Sequence, residues 1–356
     1  MAQNKRKAGP IKKSKTQPKK ATVRTSKARP KPKAAASIKK PDRSPLAGMP
    51  RGVSAKGFLR ITDFTSDEIR ATIDWARRWK AGRVAPRPME DKVAGLVFHK
   101  PSLRTRQSFE TAVFRLGGHP MFITDAEIKL GVRESIHDVA KVMSRYLGLI
   151  VIRTYKQSDV DELARHATVP VINALTDAHH PCQVLGDIMT AQEHLGRIDN
   201  LTVAFLGDGN NVFHSWADLA ERIPMDLRLG TSPSTMPDMT IVEAARRTGK
   251  SKITITHDPL EAVDGADIIY TDVWASMGQK DQAAAKADLL KPFQVNASLL
   301  KHAKPTAIVQ HCLPAERGRE ITDDVIDGPQ SVVFDEAENR LWIQGAVIAQ
   351  LLSRLR

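Results

Sequence analysis

The segment "KPSLRTRQSFE", residues 100–110, follows the apolar run "VAGLVF" and opens a stretch with helical spacing. A helix start offers free backbone N–H groups and the positive end of the peptide dipole, and both favour an anion. Ser102, Arg104 and Thr105 stand at that start. A guanidinium placed there can grip a phosphate through two parallel hydrogen bonds. Residues two apart on a helix diverge by about 200°. Arg104 and Arg106 therefore do not face one ligand: one binds, and the other turns aside to a carboxylate. On this segment alone an ordinary capped helix with solvated arginines is an equal alternative.

Other polar clusters follow apolar runs in the same way: "RTY" after "LIVI", "LTDAHHPCQ", "LGDGNNVFHS", "TDVWASMGQ" and "HCLPAE". His180 and Gln183 flank Pro181, a residue suited to the first helical turn, so both sit where donors could polarise a carbonyl oxygen. A structural histidine is the alternative there, and His179 is the weaker candidate of the neighbouring pair. No close Cys/His pairs have zinc-ligand spacing. "GDGNN" lacks the three-glycine spacing of a dinucleotide loop, and Asn210 and Asn211 suit a small polar molecule better. Asp272 offers a partner for an amine, or equally a helix cap.

These clusters need a scaffold that brings strand ends together. Short β-type runs alternate with helical stretches along the chain, and that rhythm occurs twice. It predicts an α/β fold: two doubly wound parallel-sheet domains joined by helices, with a disordered basic N-terminal tail. In open α/β sheets, ligands bind beyond the carboxyl ends of the strands, where the polar clusters lie. The expected divisions are a tail over 1–50, a first domain over 51–195, a second over 196–338, and an amphipathic C-terminal helix over 339–356. The first helix is expected to be capped near Thr65 or Ser66.

The formal charge of +14 is confined to the tail. Residues 1–45 hold 16 Lys and Arg against the single acid Asp42, and the remainder carries a net −1. The tail has almost no apolar residues to offset its ordering entropy, which favours a solvated arm. Contact with nucleic acid or an acidic surface remains an alternative, and the Pro-broken, Lys-rich composition disfavours a transit peptide. Met49, just past the tail, is a possible second start. No apolar run reaches membrane-spanning length. Two cysteines, Cys182 and Cys312, make no disulfide framework and suit a reducing, cytoplasmic setting.

Taken in order, S-x-R-T-R, H-P-x-Q, G-D-x-N-N, D-x-W-x-S-M-G and H-C-L-P resemble the aspartate/ornithine carbamoyltransferase family, most closely its ornithine-specific members. The match runs from about residue 58 to the C-terminus. The resemblance implies a carbamoyl-phosphate domain, an ornithine domain, a last helix returning to the first domain, and a homotrimer or a multiple of trimers. It implies transfer of the carbamoyl group to the δ-amine of ornithine, giving citrulline and phosphate in arginine biosynthesis, with no metal or organic cofactor. It gives carbamoyl phosphate to Ser102, Leu103, Arg104, Thr105, Lys129, Arg153, His180, Gln183, Cys312, Leu313 and Arg340. It gives ornithine to Asn211, Asp272, Ser276 and Met277. The catalytic groups would be Arg104, Arg153, His180, Asp272 and Cys312.

Two positions depart from the family pattern. Leu103 stands where many members have threonine, removing a side-chain donor. Lys129, in "AEIKLGVRES", stands where ornithine enzymes usually have glutamine, and it is either a phosphate ligand supplied by a neighbouring subunit or a solvated charge. Putrescine or N-acetylornithine as acceptor, and a nucleic-acid role for the tail, are the competing functional readings.

Overall fold

The computed structural model describes residues 56–274 and 280–353. The basic tail, Met49, Ser276 and Met277 lie outside the described residues. The first half comprises α1 (Ser66–Lys80), β1 (Val93–Phe98), α2 (Leu103–Arg115), β2 (His119–Thr124), α3 (Asp125–Ile128), α4 (Ile136–Tyr146), β3 (Leu149–Arg153), α5 (Gln157–His166), β4 (Val171–Leu175) and α6 (Pro181–Leu195). The second begins with β5 (Leu201–Leu206), α7 (Asn211–Ala220), β6 (Met225–Gly230), α8 (Met239–Arg247), β7 (Lys252–Thr256), α9 (Pro259–Val263) and β8 (Ile268–Thr271). It continues with α10 (Lys280–Leu290), α11 (Ala297–Leu300), β9 (Ile308–His311), α12 (Asp323–Ile326) and α13 (Val333–Ser353). Thr65 caps α1, accepting from Glu68 N while Glu68 returns a bond to Thr65 N.

Both sheets are wholly parallel. The first runs β2-β1-β3-β4 and the second β7-β6-β5-β8-β9. The five residues of β3 are all buried, as are the last five of β1, which is why these runs read as continuous apolar stretches rather than alternating ones. The strand order reverses between β1 and β3 in the first sheet and between β5 and β8 in the second. Each reversal opens a crevice at the strand carboxyl ends. In register, Phe98 stands beside Arg153, and Leu206 beside Thr271.

The expected last helix starts earlier than the sequence suggested, at Val333, and it is not amphipathic. From Asn339 to Leu352 every residue but Leu341 is buried. The reason is lateral: α1, α2 and α6 surround it, so no face meets water. Trp79 of α1 meets Trp342 edge to face with centroids 5.1 Å apart. Gly345 lets the Trp79 ring approach the helix backbone, and a Cβ there would lie 2.2 Å from it. Burying side chains of this size contributes roughly 1.5–3 kcal/mol each.

Candidate active site

Three arginines from separate elements converge beyond β1 and β3. Arg104 lies in the first turn of α2, Arg153 ends β3, and Arg340 comes from α13. Their charges repel one another: burial, then Arg340 and Arg104, lower the Arg153 pKa to about 10. Arg340 is lowered too, chiefly by burial. None of the three forms an ion pair among the described residues. The Nε atoms of Arg153 and Arg340 are buried without a hydrogen-bond partner. Buried cations held together without an ion-pair partner are costly, and an anionic ligand offsets that cost.

The start of α2 completes this cradle. Ser102 is the N-cap and accepts from Thr105 N at 3.3 Å. Its hydroxyl donates to Thr105 Oγ1, which also accepts from Arg340 Nη2 at 2.6 Å. Leu103 is two-thirds exposed. Arg106 turns away, as the helix geometry required: its Nε donates to Glu110 at 2.9 Å, and its guanidinium lies over the Phe122 ring. Lys129 caps α3 in a left-handed conformation and is exposed.

His180 caps α6 and donates its backbone N–H to Ser215 Oγ at 2.8 Å. Burial, with Arg340 and Arg153 nearby, pushes its pKa far down, so the ring is neutral. His179 instead stands 3.0 Å from Asp218 inside the fold, a structural place. Gln183 is fully buried. Its Nε2 donates to Asp187 Oδ1 and to Glu336 Oε1, both at 2.8 Å, while its Oε1 has no partner.

The second crevice faces the same cations. Cys312 donates its thiol to Asp272 Oδ1 at 2.9 Å. Burial and the Asp272 charge raise the Cys312 pKa well above that of an ordinary thiol. Asn210, read from the sequence with Asn211 as suited to a small polar molecule, donates instead to Asp272 Oδ2 at 2.7 Å. Asn211 directs its amide to Thr176 O at 2.6 Å, tying α7 to the end of β4. Leu313 has φ +54° and is followed by a cis Leu313–Pro314 peptide.

Asp272, His311 and Cys312 bring a carboxylate, an imidazole and a thiol within 4.8 Å of one another. The imidazole is already committed at both nitrogens: Leu313 N donates to Nδ1 at 2.9 Å, and Nε2 stands 3.1 Å from the buried Glu320. The other two groups, Asp272 and Cys312, are bonded to each other, so the cluster falls short of a closed zinc site. It is a hydrogen-bonded link between the ends of β8 and β9.

Sequence reasoning missed the carboxyls around Gln183. Asp187 lies four residues on in the same helix, a spacing that places the two side chains on one face. Nothing local in the sequence points to Glu336, 153 residues away.

Residues 56–193 match the family profile described as aspartate/ornithine carbamoyltransferase, carbamoyl-P binding domain. Residues 199–351 match that of the Asp/Orn binding domain. The chain is 48% identical over 299 residues to the ornithine carbamoyltransferase of Nitrobacter winogradskyi, covering 83% of this chain and 96% of that one. It is 45% identical over 307 residues to the chloroplastic ornithine carbamoyltransferase of Pisum sativum, covering 85% and 82%. The solved structure of ornithine carbamoyltransferase from Pyrococcus furiosus superposes with a TM-score of 0.80 at 44% identity, covering 84% of this chain and 97% of that chain. The chain belongs to the aspartate/ornithine carbamoyltransferase family.

Proposed function

We propose that the protein is an ornithine carbamoyltransferase, moving the carbamoyl group of carbamoyl phosphate to the δ-amine of L-ornithine to give L-citrulline and phosphate in arginine biosynthesis. The observation that carries this reading is the convergence of Arg104, Arg153 and Arg340, none of them in an ion pair among the described residues, beside the Asp272–Cys312 pair. An anion with a transferable group fits the first feature, and an amine fits the second.

In this reading Ser102, Arg104, Thr105 and the α2 amides hold the phosphate, with the backbone N–H of Leu103 in place of a missing hydroxyl. Arg340 closes over it from α13. Arg153 bridges phosphate and carbamoyl oxygen, while neutral His180 donates to that oxygen and Gln183 meets the carbamoyl nitrogen. Asn211, Asp272, Ser276 and Met277 take ornithine, and Cys312 and Leu313 lie between the substrates. The neutral δ-amine attacks the carbamoyl carbon, the carbonyl electrons move to oxygen, and the tetrahedral centre collapses with loss of phosphate. The departing phosphate is a competent acceptor for the amine proton. Each fixed donor on the oxyanion supplies roughly 3 kcal/mol, and alignment of two bound substrates about 7–11 kcal/mol.

A homotrimer, with Lys129 reaching a neighbour's phosphate, belongs to the same proposal. The unpaired Cys182 and Cys312 suit a reducing, cytoplasmic setting. Among the described residues no helix is long and apolar enough to cross a membrane. The test is steady-state turnover of carbamoyl phosphate with ornithine, putrescine, N-acetylornithine and aspartate. Ornithine is expected to give the highest kcat/KM, and a better acceptor among the other three overturns the reading.

A further inference from the structure

Glu336 and Asp187 are fully buried carboxyl groups on facing helices, α13 and α6, and the same Gln183 amide donates to both. Burial pushes both pKa values up, Asp187 to about 7, and the neighbouring Asp187 carboxyl raises Glu336 further. Two carboxylates this close do not both ionise in a dry interior. The pair therefore keeps at least one proton and titrates as a unit. Facing it are Arg340 from α13, Tyr270 from β8, and Cys312 and Asp272 at the strand ends.

The pair's contacts lead into the active site from two directions. Both hydrogens of the Gln183 amide are spent, one on each carboxyl. The other oxygen of Glu336 accepts His311 N at 2.8 Å, one residue before Cys312. Gln310 Nε2 donates to the backbone oxygen of Asp187 at 2.9 Å. With its NH₂ committed, Gln183 keeps only Oε1 for a ligand, and that buried oxygen is unpartnered.

We propose that Asp187 and Glu336 are positioning residues whose oxygens take both hydrogens of the Gln183 amide and lock it so that its oxygen, not its nitrogen, meets the substrate. This rests on the reading that carbamoyl phosphate is the ligand. An amide oxygen accepts from the carbamoyl –NH₂ and has nothing to accept from a methyl group. The locked amide therefore selects carbamoyl phosphate against acetyl phosphate, its near-isostere with CH₃ in place of NH₂. A site built to hydrogen-bond an N–H rejects an analogue lacking it far better than shape alone does.

The experiment measures equilibrium binding of carbamoyl phosphate and acetyl phosphate, by calorimetry and without ornithine, so it does not depend on the acceptor. Wild type, Asp187→Leu and Asp187→Asn are compared at pH 7, each with its Tm. Asparagine at 187 keeps an oxygen to accept from Gln183 and places its NH₂ where Asp187 Oδ2 has no partner. Asp187→Asn is thus expected to hold the wild-type affinity ratio within about threefold. Asp187→Leu frees one amide hydrogen and is expected to lower the ratio about tenfold. A purely structural role lowers Tm in the leucine variant without moving the ratio. If Asp187→Leu keeps the ratio, or if Asp187→Asn loses it as fully as leucine does, the proposal is overturned. Should Asp187→Leu not fold, Asp187→Ala replaces it: it frees the same amide hydrogen, the ratio is expected to drop in the same way, and an unchanged ratio overturns the proposal. Failure of the wild type to carbamoylate ornithine would sink the functional reading instead, whatever the binding ratios are.

Discussion

Arg340 Nη2 donates to Thr105 Oγ1 at 2.6 Å across 235 residues of sequence, joining the last helix to the first turn of α2. This bond brings a third guanidinium to a site that already holds two, and none of the three forms an ion pair among the described residues. Replacing Arg340 with methionine removes a repulsive charge along with that bond, so the ligand-free Tm is expected to shift little. The gain in Tm that saturating phosphate gives the wild type is expected to vanish, because ligand stabilisation follows affinity. A variant that keeps the phosphate-induced shift would place the anion elsewhere.

Stability should respond to pH through two opposing groups. His180 stays neutral in the fold, while an unfolded histidine takes up a proton near 6.5. Its depressed pKa confers stability above pH 6.5 that is lost as pH falls below that value. The Asp187–Glu336 pair has the opposite sign. An unfolded aspartate ionises near 3.8, whereas Asp187 in the fold does so at about 7, so this contribution declines as pH rises between those values. In the overlapping window, His180→Asn should make stability fall more steeply with rising pH, and Asp187→Asn should make it rise. Urea midpoints measured from pH 4 to 7 check both signs.

Cys312 should be a slow thiol. Burial and the adjacent Asp272 carboxylate hold it protonated at neutral pH, and thiolates are the nucleophilic form. Alkylation by iodoacetamide at pH 7.5 is expected to run at least tenfold slower than for free cysteine. Cys182, fully buried and raised to about 12, should not react in the native state. Rapid labelling at Cys312 would show that its bond to Asp272 does not persist.

Gly345→Ala tests the contact between α13 and α1. A methyl group would fall 2.2 Å from the Trp79 ring, and both partners are pinned by packing. The overpacking is expected to cost about 1–3 kcal/mol. Denaturant unfolding followed by tryptophan fluorescence reads both the loss and the displaced ring.

Lys129→Ala separates a shared site from a solvated charge. A phosphate ligand lent by a neighbour predicts a carbamoyl-phosphate KM raised at least fivefold. It also predicts complementation: co-refolding Lys129→Ala with Arg104→Ala chains should restore activity above that of either alone, because some mixed sites are wild type. No gain on mixing would leave Lys129 as a surface charge.

Much of the site could be read from the chain because an open parallel sheet puts function at strand ends. Ser102, Arg104, Arg153, His180, Asp272 and Cys312 each follow or close an apolar run, and the topology gathers those ends. The divergence of Arg104 and Arg106 followed from helix geometry alone. Contacts made only by tertiary packing were illegible. The burial of α13 on all sides comes from three helices that approach it, and no hydropathy pattern in the helix itself announces them. Glu336 looks like an ordinary acidic residue in a helix start until α6 is placed against it. Asn210 and Asn211 are adjacent and chemically identical, and only the entry angle of α7 sends one to Asp272 and the other to Thr176.

The position of Arg340 in the sequence also has a consequence for synthesis. The proposed phosphate cradle is encoded at Ser102 to Thr105, yet its closing cation, Arg340, leaves the ribosome 235 residues after Thr105. A nascent chain can therefore fold its first sheet while remaining unable to grip a substrate. Premature termination anywhere before α13 would leave a fragment without that cation or the buried carboxyl of Glu336. Such fragments would be catalytically silent rather than partly active, and they would not sequester a labile phosphoanhydride from complete enzymes.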